Sequence, residues 1–128
     1  GLVEEQYKFE VVFRNSPIGI AMVGLELDFM NVNPAFATMF GYKSRELIGK
    51  KVFFITHPGS HNQDYYVRDT LIEGKTDYIE LEEKFMHKNG KEILALLIVS
   101  LIRDEDNNPM YFLAIVYDIT EKKKFRDQ

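Results

Sequence analysis

Two segments near the carboxyl end of the chain, residues 94–102 and 111–117, are apolar at both odd and even positions. Successive side chains of a β-strand point to opposite faces of its sheet, so an antiparallel strand with one wet face should alternate apolar and polar residues. Neither segment alternates, and both faces of this part of the sheet must therefore be covered. Helices from the middle of the chain can cover one face. The other face needs the opening helix, a second copy of the chain, or both.

The composition limits the chain to one domain. With 128 residues, of which 45% are hydrophobic, it can build one core but is too short for two ordinary domains. The net charge of −4 gives no basic surface of the kind that nucleic-acid binders carry, apart from the short tail of residues 122–126. No nucleic-acid partner is therefore expected.

The absence of cysteine excludes disulfides, thiolate metal sites and cysteine nucleophiles, and is typical of a reducing compartment. The longest apolar run, residues 93–102, is far shorter than the roughly 20 residues that a membrane span requires. A secretory leader is also not visible. We therefore expect a cytoplasmic location with no membrane partner for this segment.

In the first third of the chain, the spacing of apolar residues changes from that of a helix to that of β-strands. An amphipathic helix over residues 4–14 should end before Pro17, because proline removes a backbone donor and restricts the residue before it. Two short strands, 18–24 and 29–32, then predict a hairpin. Asn33 precedes a proline, so its side chain should cap the helix that follows.

The rest of the chain predicts short helices and then three strands. Ser44 offers a hydroxyl that would cap one short helix, and a longer helical segment ends at Gly74. Strands follow from residue 78 onward, the first pair joined by a turn at residues 88–90 and the second pair by an acidic loop. The predicted order is two strands, short helices and three strands.

These motifs, in this order, resemble the PAS sensory domain family. The resemblance covers residues 9–124 and rests on SPIGIAMV, VNPAFATMFGY, SRELIGK, HKNGKEI, LIRDEDNNP and YFLAIVYDITEKK. It implies an α+β fold, in which a five-stranded antiparallel sheet carries short helices on one face and is preceded by an N-terminal amphipathic helix. The implied boundaries are 1–16 for that cap or dimer helix, 17–120 for the PAS core and 121–128 for the start of a connecting helix.

The resemblance also implies a place within a larger signalling protein. Such domains precede histidine kinase, diguanylate cyclase or phosphodiesterase modules, so an output domain in the same polypeptide and a role in two-component or cyclic-di-GMP signalling are expected. The DIT motif resembles the family's exit from the last strand into the connecting helix. Thr120 could cap that helix and Asp118 could accept from nearby backbone donors, which predicts both as signal-relay residues.

Coloured cofactors are not expected. The resemblance implies that flavin photochemistry would need a reactive cysteine, which the chain lacks. Haem-binding relatives carry an axial histidine where this chain has Gln63, with His61 two residues away. His57, His61 and His87 lack the clustered partners of a metal site, and no serine stands beside an obvious base. We therefore expect no metal, no haem and no catalysis, and a colourless ligand such as a metabolite, carboxylate or short acyl chain.

The walls of a ligand pocket depend on the turn between the third and fourth strands. A three-residue turn through residues 88–90 would align Ile79, Leu81 and Phe85 with Ala95, Leu97 and Val99, whereas a two-residue turn would bring Leu94, Leu96 and Ile98 inward. We predict the first register, because flavin-binding relatives place their contacts there. The predicted ligand-binding residues are Ala21, Val23, Phe36, Met39, Phe40, Phe54, Phe85, Ala95, Leu97, Val99, Ala114 and Val116.

The face of the sheet opposite the central helices also needs to be covered, and this predicts a homodimer. The opening helix offers one apolar stripe, formed by Tyr7, Phe9, Val12 and Phe13, and a single short helix would not cover the whole face. Three functions remain open from the sequence: a ligand-binding sensory module, a PAS domain with a filled core that acts through dimerisation or protein interaction, and a small α+β enzyme. The enzyme lacks a catalytic constellation.

Overall fold

The computed structural model of the chain describes residues 1–122, and its elements follow the predicted order. The helices are α1 (Leu2–Asn15), α2 (Pro34–Phe40), α3 (Ser44–Leu47) and α4 (His61–Ile72). Short 3-10 helices at Val52–Phe54 and Pro58–Ser60 connect α3 to α4. The strands are β1 (Gly19–Val23), β2 (Phe29–Val32), β3 (Tyr78–Met86), β4 (Glu92–Arg103) and β5 (Pro109–Asp118).

The five strands form one antiparallel sheet in the order β2-β1-β5-β4-β3, which confirms the predicted α+β fold. The register of β3 against β4 decides which residues face inward. Ile79 pairs with Val99 and Leu81 with Leu97, as the three-residue turn predicts. The alternative register, with Leu94 among the inward residues, is not the one observed.

The inner face of the sheet packs against α2 and α4 and forms the core. Fully burying an aliphatic or aromatic side chain of this kind contributes about 1.5–3 kcal/mol to stability. The buried residues on the sheet alternate along the strands, as one covered face requires. The core on this side comprises Ala21, Val23, Phe36, Ala37, Phe40, Val67, Leu71, Phe85, Ala95, Val99, Phe112, Ala114 and Val116.

Asn33 connects three elements through its side chain. Its Oδ1 accepts from the backbone N–H of Phe36 and of Ile20, at 2.9 Å each. Its Nδ2 donates to the carbonyls of Phe13 and Ile18, also at 2.9 Å each. The predicted cap is confirmed, and the same fully buried side chain also fastens the end of α1 and the start of β1 to α2.

The predicted capping role of Ser44 is wrong. Ser44 is the first residue of α3, and the N-cap is Lys43. The carboxylate of Glu46 accepts from the Lys43 backbone N–H at 3.1 Å. A carboxylate within the first turn therefore binds the N–H of the N-cap residue, which is the second of the two hydrogen bonds of a capping box.

The outer face of the sheet remains partly exposed in the described chain. Its apolar residues include Ile20, Met22, Leu94, Leu96, Ile98, Leu113 and Ile115, which are of intermediate exposure, and Tyr78 and Tyr117, which are 58 and 38% exposed. Helix α1 buries only one of its residues, Phe13, whose ring stacks on that of Phe9 at a centroid distance of 5.6 Å. The prediction of Phe13 as a dimer-surface residue is therefore wrong, because that side chain is already buried within its own chain. Within residues 1–122, no helix has the length and apolar character to span a bilayer.

Candidate functional site

A cavity of about 80 Å³ lies between the inner face of the sheet and the helices. Most of its wall is aliphatic or aromatic. Leu27 contributes to it from the β1–β2 turn, where its backbone has a φ of 64°, in the left-handed region that bulky residues rarely adopt. The lining residues are Ala21, Val23, Leu27, Phe29, Phe36, Val52, Thr56, Asp64, Val67, Arg68, Leu81, Glu83, Phe85, Leu97, Val99, Phe112, Ala114 and Val116.

Eight of the twelve predicted ligand-binding residues line this cavity: Ala21, Val23, Phe36, Phe85, Leu97, Val99, Ala114 and Val116. The other four do not. Phe40 is fully buried between the rings of Phe36 and Phe85, with centroid distances of 4.8 and 5.0 Å, and Ala95 is fully buried on β4. Met39 packs on the margin of the core. Phe54 is 48% exposed and packs on the Tyr42 ring, because the 3-10 helix that carries it turns the side chain outward.

Four polar residues interrupt the apolar wall: Thr56, Asp64, Arg68 and Glu83. Glu83 is 3% exposed and Thr56 is 4% exposed. Glu83 Oε1, Asp64 Oδ2 and Thr56 Oγ1 are buried and receive no hydrogen bond from an N–H group of residues 1–122, so the hydroxyl of Thr56 and the proton of the acid pair are the donors beside them. A buried polar atom without a partner costs about 1–3 kcal/mol, so this group of oxygens is costly to the empty domain.

The two carboxyl groups share one environment and compete for protons. Burial, together with the hydrogen bond to Asp64 and its charge, raises the pKa of Glu83 to about 10. Burial also raises the pKa of Asp64, while Glu83, Thr56 and the charge of His61 offset part of that rise. At neutral pH Glu83 therefore holds a proton and the pair carries at most one negative charge.

Backbone contacts bring these residues together. The segment before α4 lies along the edge of the sheet, where Met86 N–H donates to the Ile55 carbonyl at 2.7 Å and His57 N–H to the Lys84 carbonyl at 3.0 Å. This places Thr56 beside β3. At the start of α4, Gln63 Nε2 donates to the Glu82 carbonyl at 3.3 Å, and the next residue, Asp64, faces the cavity.

None of these polar residues is among the predicted ligand-binding residues, although the sequence carries two signals for them. Glu83 has the same parity along β3 as Ile79, Leu81 and Phe85, which puts it on the inner face of the sheet. Asp64 lies three and seven residues before Val67 and Leu71, which are the buried residues of α4. That spacing puts Asp64 on the inner side of the helix.

The family model described as PAS domain matches residues 17–121. The chain belongs to the PAS domain family. It is 35% identical over 121 residues to the probable diguanylate cyclase DgcE of Escherichia coli, covering 94% of this chain and 11% of that protein. It is 29% identical over 126 residues to the sensor histidine kinase TmoS of Ectopseudomonas mendocina, covering 98% of this chain and 13% of that protein. The PAS domain thus spans about an eighth of the length of these signalling proteins.

The fold of this PAS domain is also that of solved structures. The PAS domain of a protein from Colwellia psychrerythraea has a TM-score of 0.82 and 21% identity, with 94% of this chain and 99% of that chain covered. At this identity the likeness concerns the fold alone.

The histidines of the PAS domain have local roles. The ring of His61 packs on Phe53 at 4.5 Å and its Nε2 is buried. His57 and His87 each accept a backbone N–H two residues away through Nδ1. Among the described residues, no three His, Asp or Glu side chains are grouped as metal ligands would be.

The exit of the PAS domain, residues 118–120 at the end of β5, is hydrogen-bonded to β4. Asp118 Oδ1 accepts from the Thr120 backbone N–H at 2.9 Å and from its hydroxyl at 2.7 Å, which confirms the acceptor role predicted for Asp118. The Thr120 hydroxyl accepts from Leu94 N–H at 3.1 Å. Helical backbone begins at Thr120, but most of the predicted connecting helix, residues 123–128, lies outside the described residues.

Proposed function

We propose that this PAS domain is a cytoplasmic sensory module of a larger signalling protein and that it detects a small colourless molecule in its cavity. The observation that carries the proposal is a cavity whose apolar wall contains a cluster of buried, unpaired oxygens. Such a combination is typical of a ligand site, in which apolar contacts give affinity and a few polar groups give orientation. An output module of the histidine kinase, diguanylate cyclase or phosphodiesterase kind would follow in the same polypeptide.

Mass spectrometry of the native protein tests the proposal. A ligand-binding domain should carry a non-covalent adduct of defined mass after gentle purification, and the adduct should disappear on denaturation. A chain that shows only its own mass, before and after incubation with cell extract, would favour the second candidate, a ligand-free PAS domain that acts through dimerisation. The small cavity volume is the observation in favour of that candidate.

The purified domain should be colourless. A cavity of about 80 Å³ is well below the volume of about 300–1,000 Å³ that is usual for sites of drug-sized ligands, and haem or flavin would need space in that range. We expect an absorbance spectrum that ends with the tyrosine band near 280 nm. A Soret band or a flavin spectrum in freshly purified protein would contradict this expectation.

We propose further that the domain forms a homodimer through α1 and the outer face of the sheet. Tyr7, Phe9 and Val12 are 69, 47 and 64% exposed, and the apolar residues on the outer face are only partly covered. A second subunit could cover both surfaces and bring the two exits close together, so that Asp118 and Thr120 would pass a movement of β5 to paired connecting helices.

Sedimentation measurements test the dimer. We expect the chain to sediment as a dimer at tens of micromolar, and the double substitution Phe9→Asp with Val12→Asp to give a monomer, because each places a charge in the apolar contact. Both side chains are exposed in the single chain, so the substitutions should leave the fold intact. Lys8→Glu, on the same helix, is the matched control and should leave the dimer unchanged. A wild type that is monomeric at this concentration would contradict the proposal.

We expect no catalytic turnover by the domain itself. The buried carboxyl pair has no nucleophile beside it other than the Thr56 hydroxyl, and no lysine or arginine of residues 1–122 forms an ion pair with either acid. A pair of acids in an apolar cavity is suited to holding a ligand and lacks the base and orienting group that acyl transfer requires. The enzyme hypothesis therefore has no observation in its favour.

A further inference from the structure

We infer that the cavity of this PAS domain selects a short primary amine, bound as its ammonium ion by Glu83, Asp64 and Thr56. The inference rests on the proposed function, because it names the chemical class of the ligand that the sensory site would take. It is carried by the number of unpaired oxygens, by the charge around them and by the size and polarity of the remaining wall.

The number of oxygens matches an ammonium group. Three buried oxygens that line the cavity, Glu83 Oε1, Asp64 Oδ2 and Thr56 Oγ1, receive no hydrogen bond from an N–H group of residues 1–122. The protons among them are that of the acid pair and that of the Thr56 hydroxyl, both of which act on Asp64, so all three oxygens keep unused acceptor positions. An alkylammonium head carries three N–H donors and no acceptor, whereas an alcohol offers one donor. An amine is therefore the small head group that can satisfy all three atoms.

The charge in the cavity also favours a cation. The acid pair keeps up to one negative charge, and the charge of His61 compensates it only in part. Arg68 lines the cavity, but its Nε donates to Asp69 at 2.9 Å and its guanidinium lies 5.1 Å from the Tyr65 ring centroid. His61 is the remaining titratable group that acts on Asp64. A buried charge without a partner is costly, and a bound ammonium ion would compensate it.

The volume of the cavity limits the length of the ligand. An engineered cavity of about 150 Å³ holds benzene, which has six carbons, so a cavity of about 80 Å³ suits a chain of three or four heavy atoms. The carboxylate ligands expected from the sequence do not suit this site, because a ligand carboxylate would bring a second negative charge into contact with the acid pair. An amine of the size of n-propylamine fits both the volume and the charge.

Three probes of equal length test the inference on the 128-residue chain. Binding of n-propylammonium, n-propanol and propionate is measured by calorimetry and by the shift of the unfolding temperature, at pH 7 and equal ionic strength. We expect n-propylammonium to bind at least tenfold more tightly than n-propanol, and propionate not to bind. The comparison uses the wild type alone, so it does not depend on whether any variant folds.

Two substitutions then test the assigned residues. Asp64→Asn removes the negative charge at nearly constant volume and should abolish the preference for the amine, while n-propanol binds as before. Glu83→Gln should weaken the binding of n-propylammonium about tenfold. Glu80→Gln, on the same strand but on the opposite face, is the matched control and should bind all three probes as the wild type does.

The outcomes separate this inference from the proposed function. If n-propanol or propionate binds as well as the amine, the amine class is wrong but the cavity is still a ligand site. If no probe binds while native mass spectrometry finds a bound compound, the amine class is again wrong and the sensory function stands. If no probe binds and no compound is found, both are wrong. Equal amine binding by the wild type and Asp64→Asn would overturn the role of the acid pair.

Discussion

The domain should lose stability as the pH rises from 5 to 8. Burial raises the pKa of Glu83 from the ordinary 4.5 to about 10. Between these two values the folded chain holds a proton that the unfolded chain has released. Stability then falls with rising pH, at about 1.4 kcal/mol per pH unit for one proton. The raised pKa of Asp64 acts in the same direction, because its cause is also burial.

The expected size of this effect makes it measurable. Over three pH units, one proton corresponds to at most about 4 kcal/mol, and relaxation around the ionised pair reduces this to about 2–3 kcal/mol. For a domain of this size, that lowers the unfolding temperature by about 10 °C. Urea unfolding at pH 5, 6, 7 and 8 gives the free energy of unfolding directly, provided that the m-value stays constant.

The variant Glu83→Gln isolates the contribution of this proton. Glutamine keeps the size of the side chain but cannot ionise, so the pH dependence should flatten by about 0.7–1 kcal/mol per unit relative to the wild type. His57, His61 and His87 are present in both proteins and cancel in the difference. Glu80→Gln should keep the wild-type slope. A wild type whose stability is constant or increases over this range would show that Glu83 is ionised in the folded domain.

Replacing Asn33 should cost more than any surface substitution. Asn33→Leu has a similar volume but removes four hydrogen bonds, and it leaves the backbone groups of Phe13, Ile18, Ile20 and Phe36 without that partner. Each unsatisfied buried group costs about 1–3 kcal/mol, and partial solvation and relaxation limit the sum to about 3–5 kcal/mol. Urea unfolding at pH 6 measures this loss.

Two further variants show whether the hydrogen bonds cause the loss. Asn33→Asp keeps the oxygen that accepts from Ile20 and Phe36 but turns a carboxylate oxygen towards the carbonyls of Phe13 and Ile18, so it should be destabilised at pH 6 and recover part of its stability at lower pH, where the carboxyl is protonated. Asn31→Ala changes an exposed asparagine two residues away and should alter stability by less than about 0.5 kcal/mol. If Asn33→Leu is as stable as Asn31→Ala, the side chain does not hold α1, β1 and α2 together.

Features that depend on residues close in sequence were predictable. The lack of alternation in residues 94–102 and 111–117 indicated strands apolar on both faces, and β4 and β5 lie in the interior of the sheet order. The turn at residues 88–90 predicted the register of β3 against β4, and Asn33 predicted the start of α2. In each case the deciding interaction joins residues close in sequence, or it follows from the alternation of strand side chains between the two faces of the sheet.

The composition of the site could be predicted only in part. The sheet residues of the cavity could be identified, because every second side chain of a strand points to the same face of the sheet. This alternation did not identify which helical residues reach the cavity. Phe54 was expected inside but faces outward, because a 3-10 turn has a different period from the α-helix.

The sequence by itself determined the strands, the register of β3 against β4 and the start of α2, because period and turn chemistry are local properties of the chain. Only the tertiary structure decided that Asp64 meets Glu83 beside Thr56. These residues come from a helix, a strand and a loop, and they are brought together by backbone hydrogen bonds between residues 55–57 and β3 and by the hydrogen bond from the Gln63 side chain to β3. Burial of an acid is a property of its neighbours, so its protonation and its capacity to bind a cation depend on contacts that no local pattern records.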